Sequence, residues 1–173
     1  MSQKITIRNA VLSDAANLTE LGVTTFVAAF GAGNTKEDMD KYLADAMSLE
    51  KIQSELADPS NIFYLAFLDD KLVGYCKVRA TETPPELAGT EPIEIERIYV
   101  LQEYHGSKIG AALMDQCIAH ARKHNHRAIW LGVWEHNTKA VNFYKRWGFE
   151  FFGSHGFLLG YDQQTDMLMK KIL

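Results

Sequence analysis

Residues 94–114 constrain the fold more than any other part of the chain. They begin with alternating charged and apolar residues, continue through a polar loop that contains Gly106 and Gly110, and end in an apolar pattern of helical period. This order predicts a strand, a glycine loop and a helix. A helix N-terminus exposes unpaired N–H groups at the positive end of the helix dipole, so a glycine loop leading into it can hold phosphate. The segment therefore predicts a site for an anionic cofactor.

The loop does not match the common phosphate-binding signatures. Three residues separate Gly106 from Gly110, which fits neither G-x-G-x-x-G nor G-x-x-x-x-G-K-[ST]. A dinucleotide-binding fold and a P-loop are therefore disfavoured. On spacing alone, a turn followed by a capped helix explains the segment at least as well, and residues further along the chain must decide.

The rest of the chain predicts one α/β domain, residues 1–173, in which helices flank a mixed central sheet. Proline and glycine residues mark residues 81–92 as a loop. Side-chain caps are expected to begin four of the helices, at Ser13 and Asp14, Thr35, Ser48 and Asn137. The predicted strands are residues 4–8, 62–68, 72–79, 94–100, 127–135 and 166–172, with a further extended segment from Phe149.

The composition excludes several classes of partner. The formal charge is −4 and the lysines and arginines form no long run, so nothing indicates binding to nucleic acid or to an anionic membrane surface. The first ten residues lack the apolar core of a signal peptide, and Cys76 and Cys117 form no C-x-x-C pair. We therefore expect a cytoplasmic protein with two reduced thiols. Small molecules of neutral or positive charge are the expected partners.

Three stretches resemble the GCN5-related N-acetyltransferase (GNAT) superfamily, whose members transfer an acetyl group from acetyl-CoA to an amine. The opening Ile-Arg-x-Ala-x-x-x-Asp resembles the first strand and helix of the family, and residues 98–110 resemble its cofactor-binding motif. The most specific stretch is Asn137-x-x-Ala140-x-x-Phe143-Tyr144-x-x-x-Gly148-Phe149. The resemblance implies the GNAT fold, a mixed sheet of about six or seven strands that splay at the acetyl-CoA site.

Within this superfamily the chain is most similar to the bacterial Pai-type spermidine/spermine acetyltransferases. The similar stretches are residues 93–99, residues 129–135 and the tail Gln164-Thr-Asp166. The resemblance implies a polyamine acceptor. In the ribosomal-protein N-terminal acetyltransferases, a protein-acetylating branch, the base occupies the position of Gly132. Glycine has no side chain that could act as a base, which counts against that branch.

The resemblance also implies the cofactor contacts. Two residues depart from the family pattern [QR]-x-x-G-x-[GA], since His105 stands where Gln or Arg is usual and Lys108 replaces a glycine. Lys108 is either strained by a positive φ or in contact with a CoA phosphate through its ammonium group. The expected cofactor-binding residues are Ile98, Tyr99, Val100, His105, Gly106, Ser107, Lys108, Ile109, Gly110, Ala111, Asn137 and Tyr144.

Two catalytic residues are expected from the same resemblance. Glu96 corresponds to the glutamate implicated as the base in polyamine acetyltransferases, and Tyr144 is the candidate acid for the CoA sulfur. Glu94 lies two residues from Glu96 on the same predicted strand, so the two carboxylates repel unless a cation, such as a polyamine, lies between them. The alternative is a solvated sheet edge or a salt bridge. Phe26, Phe30 and Tyr42 are candidates for the acceptor pocket, and the oxyanion is expected to meet a backbone N–H of residues 99–101.

Histidines at the end of the helix after the glycine loop invite a metal-binding interpretation. His120 and His124 are four residues apart, and His126 follows. No glutamate accompanies them as in H-E-x-x-H, so a polar helix end is the better interpretation and no metal cofactor is expected.

Other functions remain open at this level. The enzyme could acetylate a protein N-terminus, a lysine or an amino-sugar antibiotic. From a different class, the domain could sense acetyl-CoA without catalysis, which the Lys108 departure permits. A homodimer is compatible with the sequence.

Overall fold

The computed structural model describes residues 2–80 and 82–173. Met1 and Thr81, the first residue of the predicted loop, lie outside the described residues. Across these two ranges the chain forms a seven-stranded sheet and five α-helices. The strands are β1 (Ile5–Asn9), β2 (Asn61–Leu68), β3 (Lys71–Arg79), β4 (Ile93–Val100), β5 (Ala128–Trp134), β6 (Glu150–Leu159) and β7 (Asp162–Ile172). The helices are α1 (Ala15–Phe30), α2 (Lys36–Ala46), α3 (Leu49–Ala57), α4 (Ile109–Lys123) and α5 (Thr138–Arg146).

The sheet has the strand order β1-β2-β3-β4-β5-β7-β6. Strands β4 and β5 run parallel, because α4 connects them as a crossover, and the other neighbouring pairs are antiparallel. The predicted α/β class and mixed central sheet are therefore confirmed. The parallel pair lies at the centre of the sheet, where the two halves of the chain meet.

Polar side chains cap three of the four helices for which the sequence predicts a cap. The cap predicted at the start of α1 is wrong, because Asp14 makes no capping bond there and instead pairs with Arg8. Thr35 accepts a hydrogen bond from the N–H of Asp38 at the start of α2, and Ser48 accepts one from Lys51 at the start of α3. Asn137 begins α5 in the same way. Each cap satisfies an N–H group that a helix leaves without an internal acceptor.

Apolar side chains form a core on each face of the sheet. Helix α4 packs on one face through a stripe that includes Leu113, Cys117 and Ala121, all fully buried. Helices α1, α2 and α3 cover the other face around Leu18, Met39 and other apolar residues. The sheet is therefore buried on both faces, which explains why its central strands lack a clean polar and apolar alternation.

A β-bulge in β4 changes which residues face each core. Arg97 pairs with Lys77 and Ile95 pairs with Val78, so Glu96 is an extra residue without a partner on β3. Beyond the bulge the alternation resumes one residue later, which places Ile98 on the same face as Ile95. Such a bulge bends a strand and redirects its side chains, and bulges are frequent beside active sites.

The C-terminal hairpin is larger than the sequence predicts. The predicted last strand, residues 166–172, is the second part of β7, which begins four residues earlier at Asp162. Gly160, with φ of +64°, makes the turn from β6, and a Cβ at this position would lie 2.4 Å from the backbone of Asp38. Strand β7 enters the sheet between β5 and β6, so the chain end lies inside the sheet.

In the part of the chain that the structure describes, no helix has both the length and the apolar character needed to cross a membrane.

Candidate active site

The two parallel central strands separate and open a cleft. Within the described residues, β4 and β5 pair only at Ile93 with Ile129 and at Glu94 with Trp130. The bulge at Glu96 then bends β4 away, and a cavity of about 740 Å³ opens between the diverging strands. A cavity of this size suits a small-molecule ligand.

Backbone groups of β4 point into this cleft. The N–H of Leu101 donates to the carbonyl of Val73 at 2.8 Å, so it faces β3. Because successive residues of a strand direct their backbone groups to opposite sides, the N–H of Val100 faces the cleft instead. Of the backbone N–H groups of residues 99–101 that are expected to meet the oxyanion, the N–H of Val100 is therefore the candidate. The N–H of Leu101 is already bonded to β3.

The glycine loop adopts the strained geometry that the sequence suggested. Lys108 has φ of +64° and Gly106 has φ of +87°. Lys108 is the N-cap of α4, whose first N–H groups begin at Ile109 and lack intrahelical acceptors. These groups and the exposed Lys108 ammonium form a positive end at the cavity, which is a suitable place for phosphate.

His105 connects the loop to the elements around it. Its Nε2 lies 2.9 Å from the carbonyl oxygen of Val100, and its Nδ1 lies 2.9 Å from Nζ of Lys139 on α5. Lysine is a donor only, so Lys139 donates to Nδ1 and the Nε2–H of His105 donates to Val100. His105, one of the two departures from the family pattern, therefore ties the loop to β4 and α5.

Most of the residues expected at the cofactor lie on the cavity wall. Ser107 and Ile109 do not: the N–H of Ser107 donates to the carbonyl of Tyr104, and the Ile109 side chain is buried in the core below the loop. The predicted residues that line the cavity are Ile98, Tyr99, Val100, His105, Gly106, Lys108, Gly110, Ala111, Asn137 and Tyr144.

Tyr144 projects from α5 into the cavity. It is buried between Phe143 and Phe149, whose rings lie 5.5 and 5.9 Å from its own ring. Burial raises the pKa of Tyr144, with a smaller contribution from Cys117. The phenol is therefore protonated throughout the neutral range and is able to donate a proton or a hydrogen bond.

Glu94 and Glu96 share a cation, but it comes from the protein. The Nε of Arg79 lies 2.6 Å from Glu94, and its Nη1 lies 2.8 Å from Glu96. The expectation that a bound polyamine lies between these carboxylates is therefore wrong, because the guanidinium of Arg79 occupies that place. The salt-bridge alternative is the one that the structure supports.

This pair belongs to a larger buried ion network. Lys77 contacts Glu96 and lies 3.1 Å from Glu55 of α3, and Arg97 lies 2.9 Å from Glu55. With Arg79 and Glu94, the network contains equal numbers of cations and carboxylates. It therefore adds no net charge to the cavity.

The network determines the character of Glu96. Burial acts to raise its pKa, but the nearby Arg97, Lys77 and Arg79 outweigh burial and lower the pKa below its ordinary value. A carboxylate with a lowered pKa is a weaker proton acceptor. Glu96 lines the cavity, and its role as the base stays a prediction.

Aromatic rings line the end of the cavity opposite the loop. Phe26, Phe30 and Tyr42, the candidates for the acceptor pocket, all lie on its wall. Phe26 and Tyr42 stack with their ring centres 4.5 Å apart, and Phe30 meets Trp134 of β5 at 6.0 Å. The sequence reasoning missed Trp134, although its position two residues after Gly132 on the same strand was a usable signal.

It also missed a pair of polar residues on the C-terminal hairpin. His155 on β6 lies directly opposite Asp166 on β7, and their Nε2 and Oδ2 atoms are 3.6 Å apart. Both residues line the cavity. Burial raises the pKa of Asp166, and His155 partly offsets this. No sequence pattern joins the two, because their proximity depends on the register of the hairpin.

Within the described residues, no three His, Cys, Asp or Glu side chains are grouped as they would be around a metal ion. The histidines at the end of α4 have other contacts. His120 is buried with its Nδ1 2.8 Å from the hydroxyl of Tyr64, and its ring packs against that of His124.

Known proteins are similar to this chain in sequence and in architecture. Residues 25–149 match the model of the Acetyltransferase (GNAT) family. An uncharacterized N-acetyltransferase in the pepI 3' region of Lactobacillus delbrueckii subsp. lactis is 38% identical over 149 residues, which is 86% of each chain. The spermidine N(1)-acetyltransferase of Thermoplasma acidophilum is 24% identical over 171 residues, with 96% of each chain covered.

Solved structures support the fold. The crystal structure of the PaiA N-acetyltransferase from Thermoplasma acidophilum, in complex with coenzyme A, aligns with a TM-score of 0.83 at 22% identity. The alignment covers 98% of this chain and 99% of that protein. At this identity the likeness establishes the fold, and the family match and the 38% identical relative establish membership. The chain is therefore a member of the GNAT family of N-acetyltransferases.

Proposed function

We propose that this enzyme transfers the acetyl group of acetyl-CoA directly to a small cationic amine, most simply a polyamine such as spermidine. The observation that carries the proposal is the cleft between β4 and β5. It has a phosphate-compatible helix end on one side, a buried phenol on its wall and an aromatic chamber at the other end. One cavity therefore offers room for a cofactor and an acceptor together.

The proposed cofactor site uses backbone groups for most of its contacts. The first N–H groups of α4 receive the pyrophosphate, and Lys108 supplies a positive charge at the same place. The N–H of Val100 donates to the thioester oxygen as it becomes negative, which stabilises the transition state. The coenzyme A complex of the structurally similar PaiA protein supports this assignment.

Chemistry at neutral pH requires a proton acceptor for the amine. An alkylamine with a pKa of about 10.4 is roughly 1 part in 2,500 neutral at pH 7. After the amine attacks, the leaving CoA thiolate needs a proton. Tyr144 lines the cavity, which supports the proposal that it gives this proton. In this proposal Tyr144 is the acid. Glu96 contributes to the site, although the cations around it weaken it as a base.

The acceptor class is supported by one carboxylate on the cavity wall and by a relative. Asp166 adds a carboxylate beyond the neutral ion network, and aromatic rings beside it can contact a cation through their faces. The full-length similarity to a spermidine N(1)-acetyltransferase agrees with this preference. A small amine reaches this enclosed site more easily than a folded protein surface does.

A competition assay tests the proposal. Acetyl-CoA is mixed with spermidine, spermine, a peptide with a free N-terminus, a lysine peptide and an amino-sugar antibiotic, separately and together, and CoA release is measured. We expect the polyamines to give the largest kcat/KM. Preference for a peptide or the amino sugar would overturn the polyamine assignment. Binding of acetyl-CoA without turnover of any amine would favour an acetyl-CoA sensor instead.

Replacing Lys108 separates its charge from its backbone strain. Lys108→Met keeps a side chain at φ of +64° but removes the ammonium, whereas Lys108→Gly removes both the charge and the strain. If the ammonium contacts a CoA phosphate, both variants bind acetyl-CoA several-fold more weakly, and raising salt weakens wild-type binding more than variant binding. Only Lys108→Gly is expected to unfold at a higher denaturant concentration, because a left-handed non-glycine residue costs about 1 kcal/mol. Unchanged affinity in both variants, measured by titration calorimetry, would show that the ammonium makes no such contact.

A further inference from the structure

The polar pair on the C-terminal hairpin has a geometry suited to holding an amine. His155 Nε2 and Asp166 Oδ2 lie 3.6 Å apart, close enough for one ammonium group to donate a hydrogen bond to each. The Asp166 side chain is 15% exposed and the His155 side chain is 45% exposed. The carboxylate therefore lies deeper in the cavity, and the imidazole lies at the solvent side.

The absence of a side chain at Gly132 makes room for this pair. A Cβ at Gly132 would lie 3.3 Å from both Asp166 Oδ2 and His155 Nε2. The two polar atoms thus converge over a position of β5 that has no side chain, on the strand that forms one wall of the cleft. A residue larger than glycine would crowd the place where these atoms meet.

We propose that His155 and Asp166 bind the primary ammonium group of the acceptor and that His155 Nε2 takes its proton, an inference that rests on the proposed function. Asp166 Oδ2 accepts a hydrogen bond from the ammonium and balances its charge. The imidazole then removes one proton and leaves a neutral amine beside the thioester. A neutral imidazole suits this step because one of its ring nitrogens is a proton acceptor.

The alternative base, Glu96, is in a less suitable environment. An ammonium that approached Glu96 would be repelled by Lys77, Arg79 and Arg97, which already surround that carboxylate. Among the described residues, the ion-pair partner of Asp166 is His155. A buried carboxylate gains most from a cationic ligand when few protein cations compete for it.

Protons and electrons balance in the proposed reaction. The ammonium gives one proton to His155, and the freed electron pair of the nitrogen attacks the thioester carbon. The C–N bond forms and the C–S bond breaks. The nitrogen loses a second proton as the amide forms. Tyr144 gives its phenolic proton to the leaving thiolate, and the second proton of the nitrogen restores the phenol. The exposed side of His155 returns its proton to solvent, so one proton is released in each turnover.

Other titratable groups face the same part of the cavity. Tyr42 of α2 packs near Asp166, and burial raises its pKa, so it stays neutral in the working range. On β4, Glu96 and Arg97 are held in the ion network. Beyond the end of β5, Glu135 and His136 lie 3.5 Å from each other.

His155→Gln tests the assignment through its pH dependence. At pH 7 and saturating acetyl-CoA, we expect kcat/KM for spermidine to fall roughly 10²- to 10⁴-fold. The deficit in kcat/KM should shrink as the pH approaches the pKa of the free amine, about 10.4, because the substrate then arrives neutral. A purely structural role for His155 would not give this convergence. Acetyl-CoA affinity should be unchanged, and His124→Gln at the exposed end of α4 serves as the matched control.

Two further variants separate binding of the ammonium from removal of its proton. Asp166→Asn and Gly132→Ala should mainly raise KM for the amine, since the first removes the countercharge and the second crowds the site. A His155→Gln enzyme with wild-type activity and an unchanged pH profile would overturn the inference, as would a Glu96→Gln enzyme that alone shows the pH-dependent deficit. A wild-type enzyme that acetylates no amine would contradict the proposed function and this inference together, so the two failures are distinguishable.

Discussion

Tyr144→Phe is expected to lower kcat roughly 10²- to 10⁴-fold while acetyl-CoA binds as before. The substitution removes only the phenolic hydroxyl, and the ring keeps its packing between Phe143 and Phe149. The CoA thiolate then leaves without a proton donor, which slows breakdown of the tetrahedral intermediate. Steady-state kinetics with spermidine and titration of acetyl-CoA measure the two quantities separately.

A second tyrosine provides the control for this experiment. Tyr64 is also buried in the core that α4 covers, and its hydroxyl lies 2.8 Å from His120, away from the cavity wall. Tyr64→Phe is expected to cost some stability but to leave kcat near that of the wild type. If Tyr144→Phe turns over as fast as the wild type, Tyr144 is not the acid. If both variants lose activity equally, a general packing effect explains the loss.

Lys77→Met is expected to lower the free energy of unfolding by about 3–5 kcal/mol. The Lys77 side chain is 2% exposed and contacts both Glu55 and Glu96. Without the ammonium, the buried carboxylates of Glu55 and Glu96 both lose a countercharge. The desolvation cost of each carboxylate is then no longer offset by its ion pair with Lys77. Urea denaturation followed by circular dichroism gives the change directly.

Lys71 lies on the same strand and allows a matched comparison. Its side chain is 60% exposed and 3.8 Å from Glu103, so Lys71→Met should cost no more than about 1 kcal/mol. The two variants make the same chemical change on β3 and differ in burial. Equal losses in the two would mean that the buried network contributes no more than a surface pair.

The network also makes stability depend on pH. The pKa of Glu96 is lower in the folded protein than in the unfolded chain, where a glutamate titrates near about 4.3. The resulting stabilisation is fully present above the unfolded value and is lost as pH falls through the folded value. Because Lys77 is one of the cations that lower this pKa, Lys77→Met should lose less stability on acidification than the wild type does.

Local patterns in the sequence were sufficient to predict much of the fold. Alternating apolar residues, capping side chains and turn glycines act over a few neighbours, so the helix starts at Thr35, Ser48 and Asn137 were predictable. The positive φ of Lys108 was likewise foreseeable, because a loop pattern had a lysine where glycine is usual. These features depend on interactions between residues that are close in the chain.

Features that depend on strand register were not predictable in this way. The bulge at Glu96 shifts the faces of β4, and another bulge at Phe152 shifts those of β6, so counting by twos misassigns the residues beyond each bulge. The predicted last strand was too short because its true start depends on pairing with β6. Its first residues, from Asp162, are polar, and their pairing with β6 is what makes them a strand.

The sequence by itself determined the α/β class, the glycine loop before α4, the Tyr144 helix and the family resemblance, because each is written in residues adjacent or periodic along the chain. Only the tertiary structure decided which charges meet. Arg79 lies between Glu94 and Glu96, and His155 meets Asp166 in front of Gly132. Such contacts join residues from different strands, and small shifts in register would separate them. For that reason we infer that the carboxylate most available to an amine lies on the C-terminal hairpin and not on β4.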